Sequence, residues 1–177
     1  LDPANKGLSP LAELLLYEAD RDDHVETLIG PALEAGRWVL CDRFFDATTV
    51  YQGLGRGQDL ELILLLNRTA ARGIRPDKTF VLDCPVSVGL GRALAREESR
   101  NSGVRRDRFE KESLDFHETI REGYLELAAA EPKRFAVVDG TQDPSAVHEA
   151  IFRGIEPWIQ KGRAMADGLA ASGKRRS

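Results

Sequence analysis

The apolar run Trp38-Val39-Leu40-Cys41 ends in a carboxylate and a guanidinium, Asp42-Arg43, followed by Phe44. In an open parallel α/β sheet, ligands sit beyond the carboxyl ends of the strands. Read as a strand, this run sets Asp42 and Arg43 at such an end. A carboxylate there can hold Mg²⁺, directly or through water. A guanidinium beside it can fork two donors onto a phosphate. Tyr51-Gln52 and the glycines of Gly53-Leu54-Gly55-Arg56-Gly57 come shortly after. That spacing is not the dinucleotide fingerprint. A buried strand, a surface ion pair and a glycine-rich loop would use the same residues.

Two more groupings carry possible chemistry. Tyr17 and Arg21 are four apart, so they share one face of a helix. An aromatic plate with a donor one turn later suits base recognition; a core tyrosine and a solvated arginine are the simpler reading of the pair by itself. The second grouping is the highly charged stretch from Glu97 to Arg108, with Arg100, Arg105, Arg106 and Arg108. Over a phosphate site it would act as a lid that excludes water and spreads positive charge. A solvated loop is the alternative.

The elements that must position these groups are read from pattern. Ser9-Pro10 offers an N-cap and a first-turn proline. Leu11, Leu14, Leu15, Val25, Leu28 and Ile29 then recur at helical spacing, with a break or kink at Gly30-Pro31. Residues 38–43 are expected as the first strand. Leu60 to Ala71 reads as a helix with Leu60, Ile63, Leu64, Leu65 and Ala71 inward. Thr79 to Cys84 is a second strand, continuously apolar as for a strand covered on both faces, and it carries Asp83 near its end. Val86 to Glu98 and Phe109 to Ala130 read as helices. Phe135 to Val138 is the third strand, and Asp143-Pro144-Ser145 starts a last helix through Trp158. From about Lys161 the pattern fades, which predicts a disordered tail over 161–177. Strands alternating with helices give a parallel α/β sheet in one domain, residues 1–160.

The chain has 177 residues, enough for one domain with a real core. Its net charge of −4 argues against a broad nucleic-acid footprint. Cys41 and Cys84 read as small buried hydrophobes in a reducing compartment. No apolar run reaches membrane-spanning length. These points set the expectation of a cytoplasmic protein with neither nucleic-acid nor membrane partners.

Six motifs in order resemble the thymidylate kinase family over roughly residues 8–160. They are Leu14-Leu15-Leu16-Tyr17-Glu18-Ala19-Asp20-Arg21, Cys41-Asp42-Arg43-Phe44, Tyr51-Gln52-Gly53-Leu54-Gly55-Arg56-Gly57, Arg75-Pro76-Asp77, Leu82-Asp83 and Asp107-Arg108-Phe109-Glu110. The resemblance implies a P-loop-kinase-like α/β fold, a parallel sheet with helices on both faces, of which three strands are expected in this chain. It implies ATP-dependent phosphorylation of dTMP to dTDP with Mg²⁺. Tyr17 falls where an aromatic stacks on thymine, Arg21 where an arginine donates to the base carbonyl, and Arg43 where dTMP phosphate is gripped. Asp42 matches the acid near Mg²⁺. Thr48 matches the reader of the thymine N3 edge, Tyr51 the aromatic crowding the 2′ position, and Gln52 lies beside the base. Arg105, Arg106 and Arg108 fall in the catalytic lid, with Arg100 at its start. Thr141, Asp143 and Pro144 resemble the loop against adenine. The family is typically a homodimer built from helices, and Leu11–Leu16 could contribute to such a contact or to the core.

One departure is large. The family's N-terminal strand and its phosphate loop G-x-x-x-x-G-K-[ST] do not occur in this sequence, which also begins with Leu. About fifty preceding residues are expected to belong to the natural product. The isolated chain is therefore expected to bind ATP poorly, to lack turnover and to be poorly stable. Another nucleoside-monophosphate kinase, or a non-catalytic nucleotide-binding module, are the competing readings.

Overall fold

The structure, a computed structural model, describes residues 7–100 and 113–173, with side chains placed for 7–95 and 113–162. Ser9 caps helix α1 (Pro10–His24) by accepting from the Ala12 N–H. The helix does not break at Gly30-Pro31. It passes through a π-helical turn, Val25–Ile29, in which the Gly30 N–H reaches back to the Val25 carbonyl, and continues as α2 (Gly30–Glu34). The extra residue takes up the kink, since proline at the start of α2 needs no donor. Gly36, at φ +68°, closes α2 while the Arg37 N–H bonds the Ala32 carbonyl.

Residues 38–43 form no strand. A strand needs a neighbour to satisfy its backbone, and among the described residues none lies beside this run. Trp38 is 56% exposed and Leu40 94% exposed. Cys41, expected to be buried, is exposed for the same reason.

Next come α3 (Phe45–Thr48), a π-helical turn over Thr49–Gly55, and α4 (Leu60–Ala70), capped by Asp59. Strand β1 (Thr79–Asp83) leads into α5 (Val86–Arg100). Ser113 caps α6 (Leu114–Ala130), which leads to β2 (Phe135–Asp139). The last helix, α7, spans Pro144–Gly173 and continues well past the expected end at Trp158. Its later residues include several alanines, good helix formers even without an apolar stripe.

Among the described residues the sheet has two strands rather than three. β1 and β2 are parallel, in register from Thr79 opposite Phe135 to Asp83 opposite Asp139. Side chains alternate between faces of a strand. Phe80 meets Gly154 of α7, whereas Asp83, three residues on, is bonded to Arg121 of α6. Helices therefore cover both faces. The cover is incomplete, and Leu82 and Val137 stay half exposed.

The core lies where α1, α4 and α6 enclose the Phe45–Gly55 segment. Leu14, Val25, Val50 and Ile63 are its most completely buried large side chains. Gly123 of α6 lies against Val50 and Leu54, and Gly55 against Phe116 and Ile120. Asn67 of α4 donates to Thr49 at 3.0 Å. Leu60, Leu64 and Leu65, expected inward, are exposed, as are Leu11, Leu15 and Leu28, because only one side of α1 and α4 meets this core.

Candidate active site

Two separate parts of the chain, α1 and the segment 42–52, bring several of the predicted groups together. Arg21, on the last turn of α1, donates through Nη2 to the Thr48 hydroxyl at the end of α3. Its Cζ lies 5.1 Å from the centre of the Phe44 ring. Tyr17, half buried, stands one turn earlier on the same face of α1. The base-recognition expectation thus acquires a floor, a donor and a hydroxyl.

Arg43 lies at the other side of the segment. Its backbone is left-handed, φ +63°, an unfavourable region for a residue with a Cβ. The Cys41 thiol donates to its carbonyl at 3.3 Å. Its guanidinium lies over the Tyr51 ring, 5.1 Å from the centroid. No carboxylate pairs with Arg43 among the described residues, so the surface ion pair of the alternative reading does not form; the charge remains available to an anion. Asp42 is exposed beside it.

The π-helical turn sets the remaining groups. A π turn inserts one residue into the helix and rotates the residues after it. Tyr51 turns toward Arg43, while Gln52, almost fully buried, donates to Glu13 of α1 at 3.4 Å.

Three groups had no sequence signal as site residues. Glu18 is buried and pairs with Arg21 at 3.3 Å. Glu13 holds the Gln52 amide. Tyr124 of α6 is half-buried; desolvation, with a smaller contribution from Tyr51, pushes its phenol above the usual tyrosine range. A tyrosine on a periodic apolar face reads as core, and carboxylates at helical positions read as solvated. Only the fold shows otherwise.

An open cavity of about 210 Å³ lies between β1, α5 and α6, lined by Asp83, Cys84, His117, Arg121 and Tyr124. Asp83 is not a free carboxylate. Arg121 forks onto it at 2.7 and 3.0 Å and holds it below the usual carboxylate range.

The Thr141, Asp143 and Pro144 segment lies elsewhere. Thr141 donates its N–H and hydroxyl to Asp139, and its carbonyl accepts from Arg92 of α5 at 2.9 Å. Asp143 caps α7, and Pro144 is its first residue. The contacts of this loop run to α5 and to Asp139 of β2 rather than to the Asp42–Gln52 segment. Arg100, Arg105, Arg106 and Arg108 lie outside the residues whose side chains are described.

Among the described residues no three His, Cys, Asp or Glu side chains cluster to hold a metal. A closed protein cage is therefore not what this site offers. One exposed carboxylate, Asp42, suits Mg²⁺, which keeps most of its waters and takes its other ligands from phosphates.

A parallel α/β sheet covered by helices, with arginines gathered at an aromatic-lined segment, is a P-loop-kinase-like fold. Residues 1–151 match the thymidylate kinase family model, and the chain belongs to that family. It is 58% identical over 143 residues to the thymidylate kinase of Geobacter sp. strain M21, covering 81% of this chain and 63% of that protein. It is 55% identical over 151 residues to that of Trichlorobacter lovleyi, covering 85% and 71%. The crystal structure of thymidylate kinase from Ehrlichia chaffeensis superposes with a TM-score of 0.65 at 29% identity, covering 86% of this chain and 68% of that one. The chain thus spans about two thirds of the length of these relatives.

Proposed function

We propose that this chain carries the acceptor half of an ATP:dTMP phosphotransferase. The observation that carries the reading is the meeting of Arg21, Thr48 and Phe44, drawn from two separated stretches of the sequence into one small cluster. Arg21 and Thr48 would address the polar edge of thymine, with Tyr17 as the stacking plate and Gln52 beside the base. Tyr51 would crowd the 2′ position, and Arg43 would hold the 5′-phosphate. An oxygen of that phosphate attacks the terminal phosphorus of ATP, and ADP leaves. Such transfer needs positioning and charge neutralisation more than covalent chemistry. Asp42 would hold Mg²⁺, which supplies positive charge to the phosphates. The arginine-rich stretch, with Arg100, Arg105, Arg106 and Arg108, would supply more, and Thr141, Asp143 and Pro144 would lie against adenine.

The same reading makes the protein a cytoplasmic homodimer, with the exposed leucines Leu11 and Leu15 of α1 in the contact. No helix among the described residues is long and apolar enough to cross a membrane.

The sequence contains no G-x-x-x-x-G-K-[ST], so nucleotide binding without turnover is the second reading for this chain. Titration calorimetry with dTMP, dUMP, UMP and dGMP, beside a coupled assay for ADP release, separates the cases. Preferential dTMP binding supports the acceptor site, and ADP release decides between kinase and binding module. Equal or absent binding of all four nucleotides overturns the proposal.

A further inference from the structure

The two site arginines differ in one respect that their residue type does not reveal. Glu18 of α1 is only 5% exposed, and both its oxygens face Arg21, Oε2 at 3.3 Å from Nε and Oε1 at 3.4 Å from Nη2. The same Nη2 reaches the Thr48 hydroxyl, and Phe44 stacks on the guanidinium. Arg43 is exposed and has no carboxylate partner among the described residues, only the face of Tyr51.

A buried, unpaired guanidinium would draw the nearest anion, because desolvation makes its charge costly to leave alone. Beside a buried carboxylate the positive charge is already offset, and a phosphate approaching Arg21 meets the field of Glu18 as well. What remains is a directed N–H donor of little net charge, suited to a neutral carbonyl.

We propose that Glu18 is a positioning and specificity-determining residue. By pairing with Arg21 it turns that arginine into a reader of an uncharged base carbonyl and leaves anion binding to Arg43. This rests on the dTMP-acceptor reading and adds to it how one ligand's two ends are kept from exchanging places.

The test is calorimetry on the full chain with three probes: thymidine, dTMP and deoxyribose 5-phosphate. Glu18→Gln, nearly the same shape, removes the charge. It is expected to weaken thymidine and dTMP by the same factor, about tenfold, as for loss of a charge-assisted contact. Deoxyribose 5-phosphate binding should hold or tighten. Arg43→Gln should show the reverse pattern, weakening dTMP and the sugar phosphate while sparing thymidine. In an Arg21→Gln background, Glu18→Gln should cost nothing further, because the cation it serves is gone. Equal loss of all three probes in Glu18→Gln would mark a merely structural role and overturn the inference. So would unchanged thymidine binding, or a full further loss in the Arg21→Gln background. Wild-type protein that binds neither thymidine nor dTMP would overturn the acceptor reading itself, and this inference with it.

Discussion

Arg134 and Asp46 lie 88 residues apart and meet as a two-pronged ion pair at 2.7 and 2.8 Å. Both side chains are 9% exposed. The guanidinium also contacts the rings of Phe135 and Phe45, with its Cζ 4.2 and 5.6 Å from their centroids. Further bonds run to Glu131 and Thr79. This pair ties the start of α3, which carries Thr48, to the opening residues of both strands. Removing Asp46 leaves the buried guanidinium only the partly exposed Glu131 as partner, a loss bounded by the about 3–5 kcal/mol of breaking a buried pair. Asp46→Ala should therefore lower the urea midpoint sharply, while Asp46→Leu combined with Arg134→Met should recover much of the loss. A double variant no better than either single one would deny the pairing its role.

Acid sensitivity among the described residues arises from four carboxylates, one of them the exposed Asp22, held low by its hydrogen bond to Arg72. The Arg134 guanidinium, helped by Arg75, holds Glu131 low, and Arg121 holds Asp83 low. Gln142 and Thr141 hold Asp139 at about 2. Unfolded carboxyls titrate near pH 4. A folded value below the unfolded one gives stability that is complete above that range and lost as pH falls through the folded value. Stability should be level from about pH 7 to 5 and then drop steadily toward pH 2. Asp139→Asn should reduce stability at pH 7, with the difference shrinking as pH falls toward 2 and vanishing only below it, as read by thermal melts across pH.

The left-handed backbone of Arg43 separates folding from binding. A residue with a Cβ costs of order 1 kcal/mol in this region, and glycine is free of that cost. Arg43→Gly should keep or slightly raise the melting temperature while abolishing phosphate-dependent binding of dTMP. A clear fall in stability would show that the side chain holds the turn rather than the ligand.

Gly123 sets how closely α6 approaches the π-helical turn. A Cβ there would stand 2.6 Å from Leu54 Cδ1 and 3.2 Å from Val50 Cγ1. Overpacking of this kind costs about 1–3 kcal/mol. Gly123→Ala should destabilise the chain by that amount and, by shifting Val50, disturb Tyr51 and Gln52. Gly91, with open space around it, is the control and should tolerate alanine.

Local signals in the sequence were dependable where the chain itself supplies the partner. The caps at Ser9 and Asp143 and the two paired strands all stand near their expected places. Tyr17 and Arg21 do share a helix face; the bond from Arg21 to Thr48 had no local signal. The segment from Trp38 to Arg43 shows the limit of such reading. Its composition is that of a strand, but a strand is defined by a neighbour, and composition does not provide one. The π-helical turn was hidden because an inserted residue changes hydrogen bonding, not residue type. Glu13, Glu18 and Asp46 were hidden because a carboxylate is buried only where a distant partner meets it, and that partner is set by the fold.

The open run at residues 38–41 gives the molecule an optical probe of its own. Trp38 heads it, more than half exposed, and the second tryptophan, Trp158, sits on α7. The Trp38 indole emission should be red-shifted and readily quenched by iodide. Any backbone that docks alongside the run would move that emission to the blue and shield it, so a fluorimeter can follow pairing at this run without a label.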